Sequence, residues 1–243
     1  MNLPELSLVP TPGSADVLVL GLAEAASAPV VVGASEALEA EFASRFGATI
    51  ATLAAQVGAT PKPGSTAVLP GPSGPVVLTG LGEADVTPDR VRRAAANGVR
   101  RALEASGERS VSVTISLDAH EPEVLAAAAE GALLGAYCFD KLGTPKAAAS
   151  VSRVYLVGPA DAEDAVAAAR VTAEAVWLAR DWVNTPANIL YPESFAEAAR
   201  ASLKGLGVGV EVLDEKALAK AGFGGILAVG GGSARQPRLV TVT

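Results

Sequence analysis

The chain has 243 residues, half of them hydrophobic, with one cysteine, one histidine and a formal net charge of -7. That length allows one large or two modest domains with cores of their own, and the hydrophobic share excludes a disordered chain. The acidity argues against non-specific nucleic-acid binding by the whole chain. A single cysteine excludes an intramolecular disulfide and, beside only His120, a Cys/His zinc cage.

In chain order, Met1-Asn2-Leu3-Pro4-Glu5 has no basic stretch ahead of an apolar one, so no signal peptide is expected. Strands are expected at Val17–Leu20, Val30–Val32, Ala67–Leu69, Val76–Leu78, Val111–Ile115 and Val154–Val157, where β-branched runs alternate with helical patterns. Glu36 to Phe46 reads as helix, while Ile50 to Gly58 suits either state. This alternation is the signature of an α/β fold with a largely parallel or mixed sheet.

Thr87 can cap a helix that starts at Pro88 and runs to Ala105, with Gly107 as its stop. Val91, Ala94, Ala95, Gly98, Val99 and Ala102 recur at helical spacing and form one apolar face. A second helix, Pro122 to about Ala136, carries Ala128, Gly131, Ala132 and Gly135 on adjoining positions, a small-residue surface suited to packing on a sheet. Glu130 interrupts the best uncharged apolar run, Val124 to Tyr137, short of the ~18 residues that cross a bilayer. A long helix is expected from Asp161, placed to cap it, to Val183. At 1.5 Å per residue it would reach roughly 34 Å, about the width of a domain, and reads as an inter-domain connector. Thr185-Pro186-Ala187-Asn188 then turns the chain. The remainder reads as helix Pro192–Leu203, strand Val208–Leu213, helix Glu215–Ala221, strand Ile226–Val229 and strand Leu239–Val242, the last with no visible partner.

Five features invite chemistry. Gly80-Leu81-Gly82-Glu83-Ala84-Asp85 has Asp85 where a dinucleotide loop needs its third glycine, and an acid there would repel a pyrophosphate; it reads as a strand-to-helix turn. Gly230-Gly231-Gly232-Ser233 lacks the Lys-Ser/Thr of a phosphate loop, so its glycines are expected to supply positive φ and close packing. His120 reads as an exposed turn histidine, since no nucleophile elbow exists, and Cys138 as a buried structural thiol. Finally, Arg90, Arg92, Arg93, Arg100, Arg101 and Arg109 stand against Asp89, Glu104 and Glu108, a local +3 that leaves -10 for the rest. A solvated helix face is the plain account; a nucleic-acid or subunit contact is the functional one.

Three ordered segments carry a resemblance. Arg180-Asp181-Trp182-Val183-Asn184-Thr185-Pro186-Ala187-Asn188-Ile189-Leu190 with Pro192-Glu193-Ser194-Phe195-Ala196, Glu130 to Lys141, and Leu227 to Leu239 with its Gly230-Gly231-Gly232-Ser233-Ala234-Arg235-Gln236-Pro237-Arg238 core resemble the leucyl aminopeptidase (cytosol aminopeptidase) family. The resemblance implies a macrodomain-like N-terminal α/β domain over 1–160, a connecting helix over 161–183, and the first part of an α/β/α catalytic domain over 184–243, truncated at Thr243. It implies a cytoplasmic metallopeptidase that removes N-terminal, leucine-like residues from peptides and assembles as a homo-oligomer, a hexamer. Its two divalent cations, manganese or zinc, would lower the pKa of a bridging water and polarise the scissile carbonyl. The family's ligand motifs, roughly G-K-G, T-F-D-S-G-G and N-T-D-A-E-G-R, have no counterpart here; Asn184-Thr185 continues into Pro186. Hence no catalytic, cofactor-binding or metal residue is assigned, and the chain alone is expected to be inactive. Two other roles remain open. A macrodomain-type ADP-ribose site would have only Glu24 after the early strand. Some relatives bind DNA as accessory proteins, but this chain's acidity does not support transferring that role to the arginine helix.

Overall fold

The structure, a computed structural model, describes residues 3–83, 87–107, 109–140, 142 and 150–243. The chain divides into two compact units, Met1–Trp177 and Leu178–Thr243.

The first unit is built on a seven-stranded sheet. Its strands are β1 (Glu5–Val9), β2 (Val17–Glu24), β3 (Val30–Val32), β4 (Thr66–Pro70), β5 (Pro75–Glu83), β6 (Ser110–Ser116) and β7 (Ser150–Val157). The order is β1-β7-β6-β2-β5-β4, with β3 paired to β2. β1, β7, β6, β2 and β5 run parallel; β3 and β4 pair antiparallel. Alternation along each strand sorts side chains to two faces. Val17 and Val19 of β2, Val113 and Ile115 of β6, and Val154 and Leu156 of β7 join a core with α3 (Pro88–Ser106), α4 (Pro122–Gly135) and the first turns of α5 (Glu163–Asn184). On the other face Leu20, Leu69, Val76 and Leu78 meet Phe42 of α1 (Glu36–Phe46) and Ile50 and Ala54 of α2 (Ile50–Gln56). The segment that suits either state is therefore a helix. The Thr49 side chain caps it by accepting from Thr52 N, and its apolar side fills the second core.

α3 follows its signals: Thr87 Oγ1 accepts from Arg90 N at 3.5 Å, and Gly107 takes φ 66 at the stop. All six of its apolar-face residues are buried. The small face of α4 works differently from the expectation. A methyl on Gly131 or Gly135 would overlap the carbonyl oxygens of Arg92 and Ala96, so these glycines seat α4 against α3 rather than against the sheet. Trp177 of α5 donates Nε1–H to the Leu133 carbonyl at 3.0 Å and meets Tyr137 edge-on at 5.3 Å.

Several expectations are corrected. β1 has no expected counterpart; its residues are held in the sheet by pairing with β7 and by the Glu5–Arg153 ion pair. Asp161 is not the cap of the long helix. It lies in a 3-10 turn, Ala160–Ala162, set up by Pro159, and the α-helix begins at Glu163. Gly80–Glu83 is the end of β5, because its backbone finds ladder partners on β2, and Ala84 and Asp85 lie outside the described residues. Cys138 is exposed just past α4, where the chain leaves the core.

The second unit holds α6 (Pro192–Ser202), β8 (Val210–Leu213), α7 (Glu215–Lys220), α8 (Gly224–Gly230) and β9 (Leu239–Val242). β9 does have a partner: it pairs antiparallel with β8, Val212 opposite Val240. Ile226–Val229, expected as a strand, lies in α8. A helix satisfies its own backbone, whereas β8 and β9 pair only with each other in this unit's sheet. The strand expected from Val208 starts at Val210, after Gly207 (φ 74) and Gly209.

Candidate functional site

In an open α/β sheet, ligands collect beyond the carboxyl ends of the parallel strands. Here those ends carry Glu24 (β2), Glu83 (β5) and, after β6, Asp118 and His120. Glu83 pairs with Arg90 at 2.8 Å, and His120 Nε2 lies 2.9 Å from Asp118 Oδ1 on the exposed surface, as expected of a turn histidine. A phosphate cradle needs spare backbone N–H groups. Those of Gly80 and Gly82 are already spent on the carbonyls of Ser65 and Pro61, at 2.9 and 2.7 Å, so the segment from Pro61 to Ser65 lies along the end of β5. Acids and engaged donors together make this a poor seat for an anion.

The opposite end of the sheet has a cleft of ≈ 300 Å³ between the starts of β2 and β5 and the start of α1. Asp16 lines it, accepting from Ser112 Oγ at 2.7 Å and Ser112 N at 2.8 Å. These bonds, the hydroxyl's first, hold the Asp16 carboxyl below its ordinary value. A depressed carboxylate contributes stability above its unfolded pKa, ~3.9, and loses it as pH falls through the folded one. The stability gap between the parent and Asp16→Asn, followed by urea unfolding, should therefore close as pH drops below about 4. A gap that stays constant down to about pH 2 would show that ionisation plays no part.

The arginine face of α3 is largely paired with its neighbours. Arg92 bonds Glu130 of α4 at 3.1 Å, Arg93 bonds Asp89 at 3.0 Å, Arg101 bonds Glu104 at 3.2 Å, and Arg100 donates to Asn97. Arg93 remains 70 % exposed, so this is a solvated face laced with surface pairs, each of small energetic weight. Glu108 lies outside the described residues.

In the second unit the turn after α5 is closed by Ile189 and Leu190 N–H donating to the Pro186 carbonyl, both at 2.9 Å. Ser194 Oγ accepts from Tyr191 N and donates to the Ile189 carbonyl, setting the start of α6, while Trp182 and Phe195 meet edge-on at 5.0 Å. Arg238, at the foot of β9, reaches Glu215 at 2.8 Å and Glu193 at 3.6 Å. These two acids lie in the first turns of α7 and α6, where carboxylates also suit the helix dipoles. Arg235 stacks over the Tyr191 ring at 3.8 Å. This arginine–carboxylate knot was not singled out from sequence, and the adjacency of Arg235 and Arg238 to the glycine run was its only signal. None of Gly230, Gly231 and Gly232 has positive φ; Gly230 instead allows close contact with Pro237.

Residues 29–146 match the N-terminal domain of the cytosol aminopeptidase family, and residues 177–243 match that family's catalytic domain. The chain belongs to the cytosol aminopeptidase family. It is 41 % identical over 241 residues to a probable cytosol aminopeptidase of Cutibacterium acnes, covering 98 % of this chain and 47 % of that protein. It is 44 % identical over 252 residues to one of Streptomyces griseus, covering 93 % and 47 %. The chain thus spans about half the length of these relatives. Among solved structures, a tomato leucine aminopeptidase variant superposes with TM-score 0.79 at 18 % identity, covering the whole chain and 51 % of that protein, a likeness of fold. The bottromycin maturation enzyme BotP superposes with TM-score 0.69 at 29 % identity, covering 94 % and 46 %. The α/β expectation therefore holds: a macrodomain-like first domain, a long helix and part of a peptidase-type α/β/α domain.

The described residues bring together no group of three or more His, Cys, Asp or Glu able to hold a metal ion. Asp181, the buried acid in the sequence segment that carries the resemblance, is 3 % exposed. Its backbone carbonyl receives Thr185 N–H and Oγ1–H, at 2.9 and 2.6 Å, which closes the end of α5. No helix of the described residues is long and apolar enough to cross a membrane.

Proposed function

We propose that this chain is the N-terminal part of a two-metal leucyl aminopeptidase that removes leucine-like residues from the amino ends of peptides. The supporting observation is that N-terminal-domain and catalytic-domain matches follow one another in one chain that is 41 % identical to a probable cytosol aminopeptidase. Its domains are a macrodomain-like domain over 1–160, a connecting helix over 161–183 and the opening of the catalytic domain over 184–243. The whole enzyme works in the cytoplasm as a homo-oligomer, a hexamer.

A metal pair, manganese or zinc, would supply Lewis-acid chemistry toward a water molecule and the scissile carbonyl. One BotP structure is a complex with Mn, which supports a divalent ion in this fold. The described residues do not fit such a pair, since they bring together no group of three or more His, Cys, Asp or Glu; on this reading its donors come from outside this chain. The role of this chain's own residues is scaffolding: the Thr185–Asp181 and Ser194 bonds shape the entry to the catalytic domain, and Arg238 ties β9 to α6 and α7.

Two assays test the reading. With a leucine chromogenic amide and added manganese or zinc, the 243-residue chain should show no turnover. Activity that stays with the protein through repurification and vanishes with chelator would overturn that expectation. The same chain joined to the remaining half of the Cutibacterium relative should hydrolyse the amide, and a folded, metal-loaded but inert hybrid would count against the peptidase reading.

A further inference from the structure

An open α/β sheet offers a ligand its crevice where two neighbouring strands send their connections to opposite faces, beyond their carboxyl ends. In the first unit that place lies between β2 and β6. The chain leaving β2 goes on to α1 and α2 on one face, and the chain leaving β6 goes to α4 on the other. The crevice is already filled. β2 pairs with β6 over residues 17–20, and its next residues, Gly21, Leu22 and Ala23, carry β5 on one edge and β3 on the other. β3 therefore stands in line with the end of β6, where a nucleotide-type ligand would lie.

Two close approaches fit β3 to this place. A methyl on Gly33 would run into the Ser116 carbonyl, and Gly33 takes φ 85, a conformation that suits glycine. The Ser116 hydroxyl donates to the Gly33 carbonyl at 2.7 Å and so clasps the end of β3 to the end of β6. Gly21 leaves room for Val32, whose Cβ would lie 3.1 Å from an added methyl. β6 then stops, and the chain turns away at Asp118 with φ 57, a left-handed conformation that aspartate tolerates. The hold on β3 is slight all the same. It has three residues, its ladder is with β2 among the described strands, and none of residues 24–34 is buried. Segments held in this way open locally, whereas strands deep in a sheet open only with the whole unit.

We propose that β3 is a strap seated in the sheet's own ligand crevice. It closes the first unit to nucleotide-type ligands, ADP-ribose included, and it swings out as one piece when the Ser116–Gly33 clasp lets go. The exposed run 24–29 and Gly33 are its two hinges. This closure is independent of the peptidase reading.

Hydrogen exchange on the 243-residue chain tests it, read at residues 30–33 against residues 17–20 of β2 and 113–115 of β6. In the parent, 30–33 should exchange about a hundredfold or more faster than the two reference strands. Ser116→Ala removes the clasp alone and should speed 30–33 by about a further fivefold, with the references unchanged. Gly33→Ala adds a clash and a strained φ and should speed them by about a hundredfold. Equal protection of β3 and the references in the parent would overturn the proposal, even if neither variant folds. So would a Ser116→Ala chain in which all three strands loosen together. ADP-ribose is the probe of closure: in large excess it should give no heat of binding with the parent. Binding that leaves residues 30–33 as protected as before would show an open crevice and overturn the strap.

Discussion

In hydrogen exchange on the intact 243-residue chain, the amides of β6 should outlast those of β8 and β9 by about a thousandfold or more, a gap of about 4 kcal/mol. β6 lies inside a sheet with a parallel neighbour on each side, and Val111, Val113 and Ile115 are at most 2 % exposed. Its amides open only when the first unit unfolds, which for a domain of this kind costs about 5–15 kcal/mol. β8 and β9 form a two-stranded sheet with both outer edges unpaired in this unit's sheet. Among the unit's described side chains only Leu218 is both large and fully buried, with Ala196 and Ala199 adding small groups. Burying one leucine yields about 1.5–3 kcal/mol, too little to hold some sixty ordered residues strongly. Equal protection of the two regions in a demonstrated monomer would mean that the division between a stable first unit and a labile second one is wrong.

Gly131→Ala should destabilise the first unit by about 3 kcal/mol, although helix propensity alone favours alanine by about 1 kcal/mol. The new methyl would overlap the Arg92 carbonyl, so α3 and α4 must separate or tilt. Either movement opens the core that Val99, Ala102, Ala128 and Ala132 share, and each is fully buried. Interiors are close-packed and relax only partly, so the steric cost exceeds the propensity gain. Gly13→Ala is the control, because nothing lies within 4 Å of the added group and its φ is not in the left-handed region. Urea unfolding followed on the first unit's signal reads both. A Gly131→Ala chain within about 0.5 kcal/mol of the parent would show that the helix pair shifts freely, contrary to a rigid glycine seat.

The elements that were legible from residues are those with local punctuation. Thr87, Pro88 and Gly107 bracket α3; Ser35 and Gly47 bracket α1; Asp214 caps α7. The apolar stripe of α3 is buried as its spacing requires, because a helix with one apolar side on a sheet has only one way to face. At the candidate site, sequence could show that His120 stood in a polar turn. It could not show that the N–H groups of Gly80 and Gly82 bond to Ser65 and Pro61, since that depends on a loop returning from more than ten residues away.

By itself, the sequence determined the α/β class, the order of most strands and helices, the acidic surface and membership of the cytosol aminopeptidase family. Tertiary structure alone decided where neighbours were non-local. Ile226–Val229 reads as a strand by composition, yet it lies in a helix, since a strand needs a partner for its backbone while a helix needs none. β1 is a strand because β7 accepts it, β9 because β8 does, and Cys138 is exposed because the chain leaves the core just beyond Tyr137. The seating of α4 on α3 belongs with these. Its small residues signalled a close approach, but only the packing of the two helices on one sheet face determined which backbone came near.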